Sequence, residues 1–215
     1  MIKKLKTLLF FLFLGLMAYY FYPIIKAKYF RSEDEKGGVD KVIENYGFQI
    51  EQAANTYQIS ADYLKALCML ESSGTKTIVP RYEKHVFKKL KKVRDGDLEN
   101  YEHVTQDMLK DANDEALKNL ASSWGPFQLM GYKCLLLDIK IKDIRGDDAV
   151  LYGVKWIDLA YGERLRKGQY KDAFHVHNAG KPFPKDGIPR TYDKQYVFKG
   201  LKYMDVFKKK SQNQE

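Results

Sequence analysis

The sequence is short of several things that whole classes of protein need. It holds two cysteines, Cys68 and Cys134, in 215 residues, so it is no disulfide-stapled miniprotein, and a chain of this length can bury a sufficient core without staples. The two thiols are either one pair in an oxidising compartment or two small buried apolar groups. There is no Gly-x-x-x-x-Gly-Lys loop to cradle a phosphate and no Gly-x-Ser-x-Gly elbow to present a nucleophilic serine. Metal-ligand spacing is missing too. His175 and His177 are two apart, on different sides of any helix, with no Cys or Asp at matching spacing, so no metal and no cofactor is expected. His85 and His103 read as surface or hydrogen-bonded residues. Neither an internal repeat nor a low-complexity tract occurs. Aromatic residues are plentiful by contrast, and 16 Tyr with 12 Phe argue for a folded chain.

The net charge of +9 is unevenly spread. No acidic residue precedes Ser32, whereas six of the 37 basic ones do (Lys3, Lys4, Lys6, Lys26, Lys28 and Arg31), leaving 31 against 28 acidic residues in the remainder. Lys208, Lys209 and Lys210 supply that small excess from a polar tail. The body is nearly neutral, without the dense basic face a duplex-binding protein carries, and nucleic acid is not expected as a partner.

Residues 8–25 (LLFFLFLGLMAYYFYPII) form an 18-residue run without a charge. Its length is at the short end for a membrane span, and Tyr19, Tyr20 and Tyr22 suit the water interface. A cleaved signal peptide is the alternative, but Leu16-Met17-Ala18 puts a large residue where a small one is preferred. No cysteine lies near the end of the run to accept a lipid. Basic residues on its two sides slightly favour a cytoplasmic N-terminus, and under either reading the body is exported to the cell envelope. The expected organisation is a signal-anchor over 1–31, a Gly-containing linker over 32–40, one domain over 41–207 and a polar tail over 208–215.

Within the body the dominant period is helical. Val42, Ile43, Tyr46, Ile50 and Ala53 fall on one stripe, as do Met108, Leu109, Ala112, Ala116, Leu117 and Leu120. Further helices are expected at about 61–71, 146–166, 170–177 and 191–207, with 91–103 a charged loop. No alternation calls for a large sheet, so the fold class is mainly α.

The segment SADYLKALCMLESSG places Ser60 to cap a helix and Gly74 to end it. Tyr63, Leu64, Leu67 and Leu70 make its apolar face. Glu71, four residues after Leu67, continues that face at the helix's negative end, and both surroundings favour a carboxyl that keeps its proton and can act as a general acid. The plainer reading is a glutamate at a fraying helix end. Two other segments carry amides at turns: ASSWGPFQLMG with Gln128, and FHVHNAG with Asn178. Amides there suit sugar hydroxyls, and Trp124, Phe127 and Tyr132 are available to stack on sugar faces.

In order, these segments resemble the lysozyme-like superfamily. Leu70-Glu71-Ser72-Ser73-Gly74 is similar to the first motif of soluble-type lytic transglycosylases, a Glu-Ser pair carrying the single catalytic acid. Gly125-Pro126-Phe127-Gln128-Leu129-Met130 resembles their second motif, His177-Asn178-Ala179-Gly180 their Tyr-Asn-Ala-Gly, and Tyr196-Val197 their closing Tyr-Val. Arg81-Tyr82-Glu83-Lys84-His85-Val86-Phe87 and Ala121-Ser122-Ser123-Trp124-Gly125 with Phe127-Gln128 resemble the N-acetylmuramidase domains of phage endolysins. The likeness covers about residues 42–207 and is carried by short motifs. Two departures stand out: Pro126 replaces a large residue, and His177 replaces a tyrosine that helps position acid and substrate.

The resemblance implies a lysozyme-like helical domain acting on peptidoglycan glycan strands at the β-1,4 bond between N-acetylmuramic acid and N-acetylglucosamine. Glu71 would be the catalytic acid, with Ser72, Trp124, Phe127, Gln128, His177, Asn178 and Tyr196 binding substrate. A transglycosylase needs no second carboxylate and leaves 1,6-anhydro ends, whereas a hydrolytic muramidase usually wants one. Glu83 is the candidate, its alternative being a structural partner of Arg81. A membrane-anchored module that binds glycan without cleaving it is the reading from another class. The sequence names no protein partner.

Overall fold

The structure is a computed structural model and describes residues 37–212. The apolar run 8–25, residues 32–36 of the expected linker and residues 213–215 lie outside the described residues. No helix among those described is long and apolar enough to cross a membrane. The chain divides between Gly38 and Val39, and of the first unit only Gly37 and Gly38 are described.

Helices carry most of the described chain. The first, α1, runs from 37 to 57. Residues 37–40 are therefore helical rather than linker, because Val39 and Val42 have core positions to fill. In α2 (Ala61–Ser72) the Ser60 hydroxyl accepts the Tyr63 N–H at 3.3 Å, and residues 63 to 69 are all buried, so it is the central helix. Ser73 and Gly74 both take left-handed φ (51° and 69°) where it ends, and the Ser73 N–H returns to the Met69 carbonyl. Gly74 serves a tighter need: a Cβ there would lie 2.5 Å from the Val42 nitrogen, so only glycine lets this turn sit against α1.

Three long helices complete this layer: α7 (Ala149–Arg166), α8 (Tyr170–Ala179) and α9 (Tyr196–Gln212). Their inward residues, among them Val154, Ile157, Phe174, Val197 and Phe207, share one core with Ile50 of α1 and Leu64 and Leu67 of α2. Each such side chain is worth about 1.5–3 kcal/mol when fully buried. Because α9 continues to Gln212, residues 208–212 are helix rather than tail, and Lys210 pairs with Asp40 of α1 at 2.5 Å.

The middle of the chain builds a second, smaller core. A three-stranded antiparallel sheet, β1 (Arg81–Tyr82), β4 (Ser122–Trp124) and β5 (Leu129–Met130), has Arg81 opposite Ser123 and Ser123 opposite Met130. Between β1 and β4 come α3 (Lys84–Arg94), the hairpin β2 (Asn100–Tyr101) and β3 (Val104–Thr105), α4 (Gln106–Leu109) and α5 (Asp114–Leu120). The expected charged loop at 91–103 is thus the last turn of α3 followed by a hairpin, whose turn residues Glu102 and His103 both have positive φ (49° and 70°), as a tight two-residue turn requires. The stripe from Met108 to Leu120 is not one helix either. Asn113 caps α5 by accepting the Ala116 N–H at 2.8 Å, and Met108 is exposed rather than core. After β5, α6 (Lys133–Leu137) and a short 3-10 turn (Ile141–Ile144) lead back to α7. Cys68 and Cys134 are free and buried in different cores, the first in α2 and the second beside Trp124 and Ile144.

Candidate active site

A cleft of about 1060 Å³ is lined by the end of α2, by β1 and the β4–β5 turn, by the end of α8 and by the start of α9. Glu71, Ser72, Glu83, Gln128, His177, Asn178 and Tyr196 all line it, although they are up to 125 residues apart in sequence. Glu71 is placed by helix periodicity. One turn beyond buried Leu67 its side chain leaves the core with 17% exposure, at the rim between apolar interior and cleft.

Two groups address the same oxygen of Glu71. The buried Tyr196 hydroxyl donates to Oε1, and the His177 Nε2 stands 3.7 Å from it. Among the described residues this leaves Oε2 as the oxygen available to a ligand. Behind His177 the network continues inward, with the Tyr161 hydroxyl 2.7 Å from Nδ1 and the Tyr63 hydroxyl donating to the Tyr161 oxygen at 3.4 Å. Nδ1 thus faces the Tyr161 hydroxyl and Nε2 faces Glu71, with the Phe127 carbonyl also within reach of the ring. Burial pushes His177 below its ordinary value, against the opposite pull of the Glu71 carboxylate and the Phe127 carbonyl, and so favours the neutral ring. Burial also raises Tyr161 and Tyr196 well above the ordinary phenol range, with the Glu71 charge adding to the effect, so both hydroxyls keep their protons.

At Tyr161 the helix α7 is interrupted, with φ −157° and ψ 20°. In the sequence Tyr161 falls on an apolar stripe and reads as core, which it also is. Nothing in its spacing marks the hydroxyl as part of the site.

Gln128 sits in a left-handed turn (φ 49°) with its amide held on both sides. Its Oε1 accepts from the buried Ser123 hydroxyl at 2.6 Å, and its Nε2 donates to the Gly125 carbonyl at 3.2 Å. Asn178, in the last turn of α8, is exposed to the cleft. The Ser72 hydroxyl turns back to the Cys68 carbonyl at 2.9 Å, so its first role is to stiffen the end of α2. Glu83 follows β1 with Oε1 gripped by Arg81, 2.6 Å from Nε and 2.5 Å from Nη2, and Oε2 3.5 Å from His85 Nδ1. It is Arg81's partner and a wall of the cleft at once.

The expected stacking aromatics are corrected. Trp124, Phe127 and Tyr132 are buried and do not line the cleft. Phe127 packs against Gly153 of α7, where a Cβ would come within 2.6 Å of its ring. Trp124 donates its indole N–H to the Asn119 carbonyl at 2.9 Å beneath Arg145, and Tyr132 packs edge-on against Tyr101 with Lys133 over its face. Their large apolar areas gain more in the core than in water. The exposed aromatic of the cleft is Tyr192, which the spacing did not single out.

His175 is structural. Its Nδ1 is 2.6 Å from the Lys181 carbonyl and its Nε2 accepts the Arg190 N–H at 2.9 Å, so one imidazole ties both ends of the loop between α8 and the Tyr192 turn. Among the described residues no group of three or more His, Cys, Asp or Glu is placed to hold a metal ion.

Compared with family models, with characterised proteins and with solved structures, the chain has no match.

Proposed function

We propose that the protein is a peptidoglycan lytic transglycosylase of the lysozyme-like kind, cleaving the β-1,4 bond between N-acetylmuramic acid and N-acetylglucosamine. The observation that carries the reading is one carboxyl, Glu71, held by the Tyr196 hydroxyl at the rim of a cleft where Ser72, Gln128, His177 and Asn178 converge. These are the residues of the three motifs and the closing helix.

Glu71 enters the reaction protonated and gives its proton to the bridging oxygen as the C1–O bond breaks through an oxocarbenium-like state. Its carboxylate then takes the proton of the muramic C6 hydroxyl, whose oxygen bonds to C1 and closes the 1,6-anhydro ring. The proton returns to Glu71 and no water is consumed. Tyr196 and the neutral His177 stabilise the carboxylate between the two halves without supplying a permanent counter-charge. Asn178 and the held Gln128 amide orient acetamido sugars. The apolar run 8–25 would anchor this body to the membrane outside the cytoplasm.

Hydrolysis of the same bond is the second reading, favoured by one observation: Glu83 brings a second carboxylate to the same cleft. Incubation of the full chain with purified peptidoglycan and mass spectrometry of the released muropeptides separates the readings. Products one water lighter than reducing-end fragments are expected, full-mass reducing ends indicate the hydrolase, and binding without release indicates a silent glycan-binding module.

A further inference from the structure

We infer that Tyr192 is the stacking platform of the cleft, receiving the apolar face of an N-acetylhexosamine unit of the bound glycan. The inference rests on the reading of the cleft as a glycan site and assigns a subsite that the motifs do not contain.

The ring of Tyr192 is fully exposed, at 101% of a free residue, and it lines the cleft together with Val79, itself 81% exposed. An aromatic ring left entirely in water forgoes the stabilisation that burial brings. It is not a loose chain end. Thr191, immediately before it, is buried and donates its hydroxyl to the Asp193 carbonyl at 2.7 Å. The Asp193 carboxylate accepts the Gln195 N–H at 2.8 Å, and its carbonyl accepts the Tyr196 N–H at 3.0 Å. Upstream, His175 holds the Arg190 N–H. The backbone on both sides of Tyr192 is pinned while its side chain is presented to solvent, which lowers the ordering cost of using the ring as a contact.

Its distance from the chemistry is bounded by the chain. Three residues separate Tyr192 from Tyr196, whose hydroxyl touches Glu71, so the two Cα atoms are at most about 14 Å apart. The ring and Glu71 line the same cleft.

The surroundings select among ligands that stack. A nucleotide or another polyanion would want free cations, but the two cations of the cleft wall are engaged, Arg81 with Glu83 at 2.5 Å and Lys199 with Asp193 at 2.6 Å. The cleft also offers amides, at Gln128 and Asn178. An aromatic face for C–H groups and amides for hydroxyl and acetamide groups together fit a pyranose.

The test is calorimetric titration of the full chain carrying Glu71→Gln, which removes turnover, with the hexamer of β-1,4-linked N-acetylglucosamine. Adding Tyr192→Ala is expected to weaken binding about tenfold, while Tyr192→Phe keeps it within about twofold. Equal affinity of the Ala variant and its parent overturns the platform, and so does a Phe variant as weak as Ala, which would assign the contact to the hydroxyl. If the Glu71→Gln parent binds no oligomer, the glycan reading itself falls and the subsite with it.

Discussion

Two carboxylates of the cleft, Glu71 and Glu83, are almost equally exposed, 17% and 22%, and yet are treated in opposite ways. Glu71 stands at the edge of the main helical core, and its partners, Tyr196 and the His177 held by Tyr161, are uncharged. Glu83 stands at the edge of the small sheet with a guanidinium on one oxygen and an imidazole near the other. A carboxyl with neutral partners can change its charge without breaking an ion pair, whereas Glu83 would have to relinquish Arg81. Exposure alone does not distinguish the two residues, but the polarity of their partners does, and it supports the proton-transfer role proposed for Glu71.

The sharpest way to break that contrast is Glu71→Gln, which keeps the shape and removes the transferable proton. Muropeptide release is expected to fall about 10²–10⁴-fold with the thermal unfolding midpoint retained. Undiminished release would remove Glu71 as the acid.

A smaller effect is expected from Tyr161→Phe, which deletes the hydroxyl between Tyr63 and His177 Nδ1. Leaving a buried ring nitrogen without its hydroxyl partner should cost about 1–3 kcal/mol in urea unfolding. The contrast would be weakened by a variant as stable as the parent, since the neutral network behind Glu71 would then be idle.

His177 adds a dependence on pH. Its folded value is depressed by burial, so as pH falls the unfolded imidazole takes a proton first, near its ordinary value of about 6.5. Below that the unfolded state binds more protons than the folded one. Stability contributed by His177 is therefore present above about pH 6.5 and is lost as pH falls toward the folded value. Urea midpoints of the parent and of His177→Asn, measured across about pH 5 to 8, should show a shallower slope for the variant on the acid side. Parallel slopes would mean that His177 is not the neutral partner described.

The smallest change is expected from Glu83→Gln. If Glu71 acts alone, release should change by less than about threefold, and the lost exposed pairing should cost under about 1 kcal/mol. A loss of about a hundredfold or more would reverse the contrast and make the enzyme a hydrolase with two working carboxylates.

Much of the helical framework is legible in the sequence because the driving pattern is local. Ser60 and the spacing of Leu64 and Leu67 define α2, and the last of that stripe points Glu71 at the rim. The break between α4 and α5 was harder, since Met108 and Leu109 keep the helical period and only the Asn113 cap interrupts it. At the site, Glu71, Gln128, His177, Asn178 and Tyr196 come from motifs and meet in one cleft. The aromatics do not, for a definable reason. Gly125 and Gln128 both turn the chain through positive φ, and periodicity gives no direction for Trp124 and Phe127 across such a turn. Tyr161 and Tyr63 were hidden differently, because a hydroxyl on a core face looks like core until its partner is known.

The His175 clamp separates the part of the chain that must keep its place from the part that need not. With Lys181 and Arg190 both tied to one ring, residues 185–188 form an exposed excursion that leaves and returns at the same point. Extra residues inserted near Gly187 would lengthen that excursion while the clamp keeps its two ends together. The loop is thus a place where the protein can acquire a tag, a label or a new recognition segment while the register of Tyr192 and Tyr196 relative to Glu71 is kept.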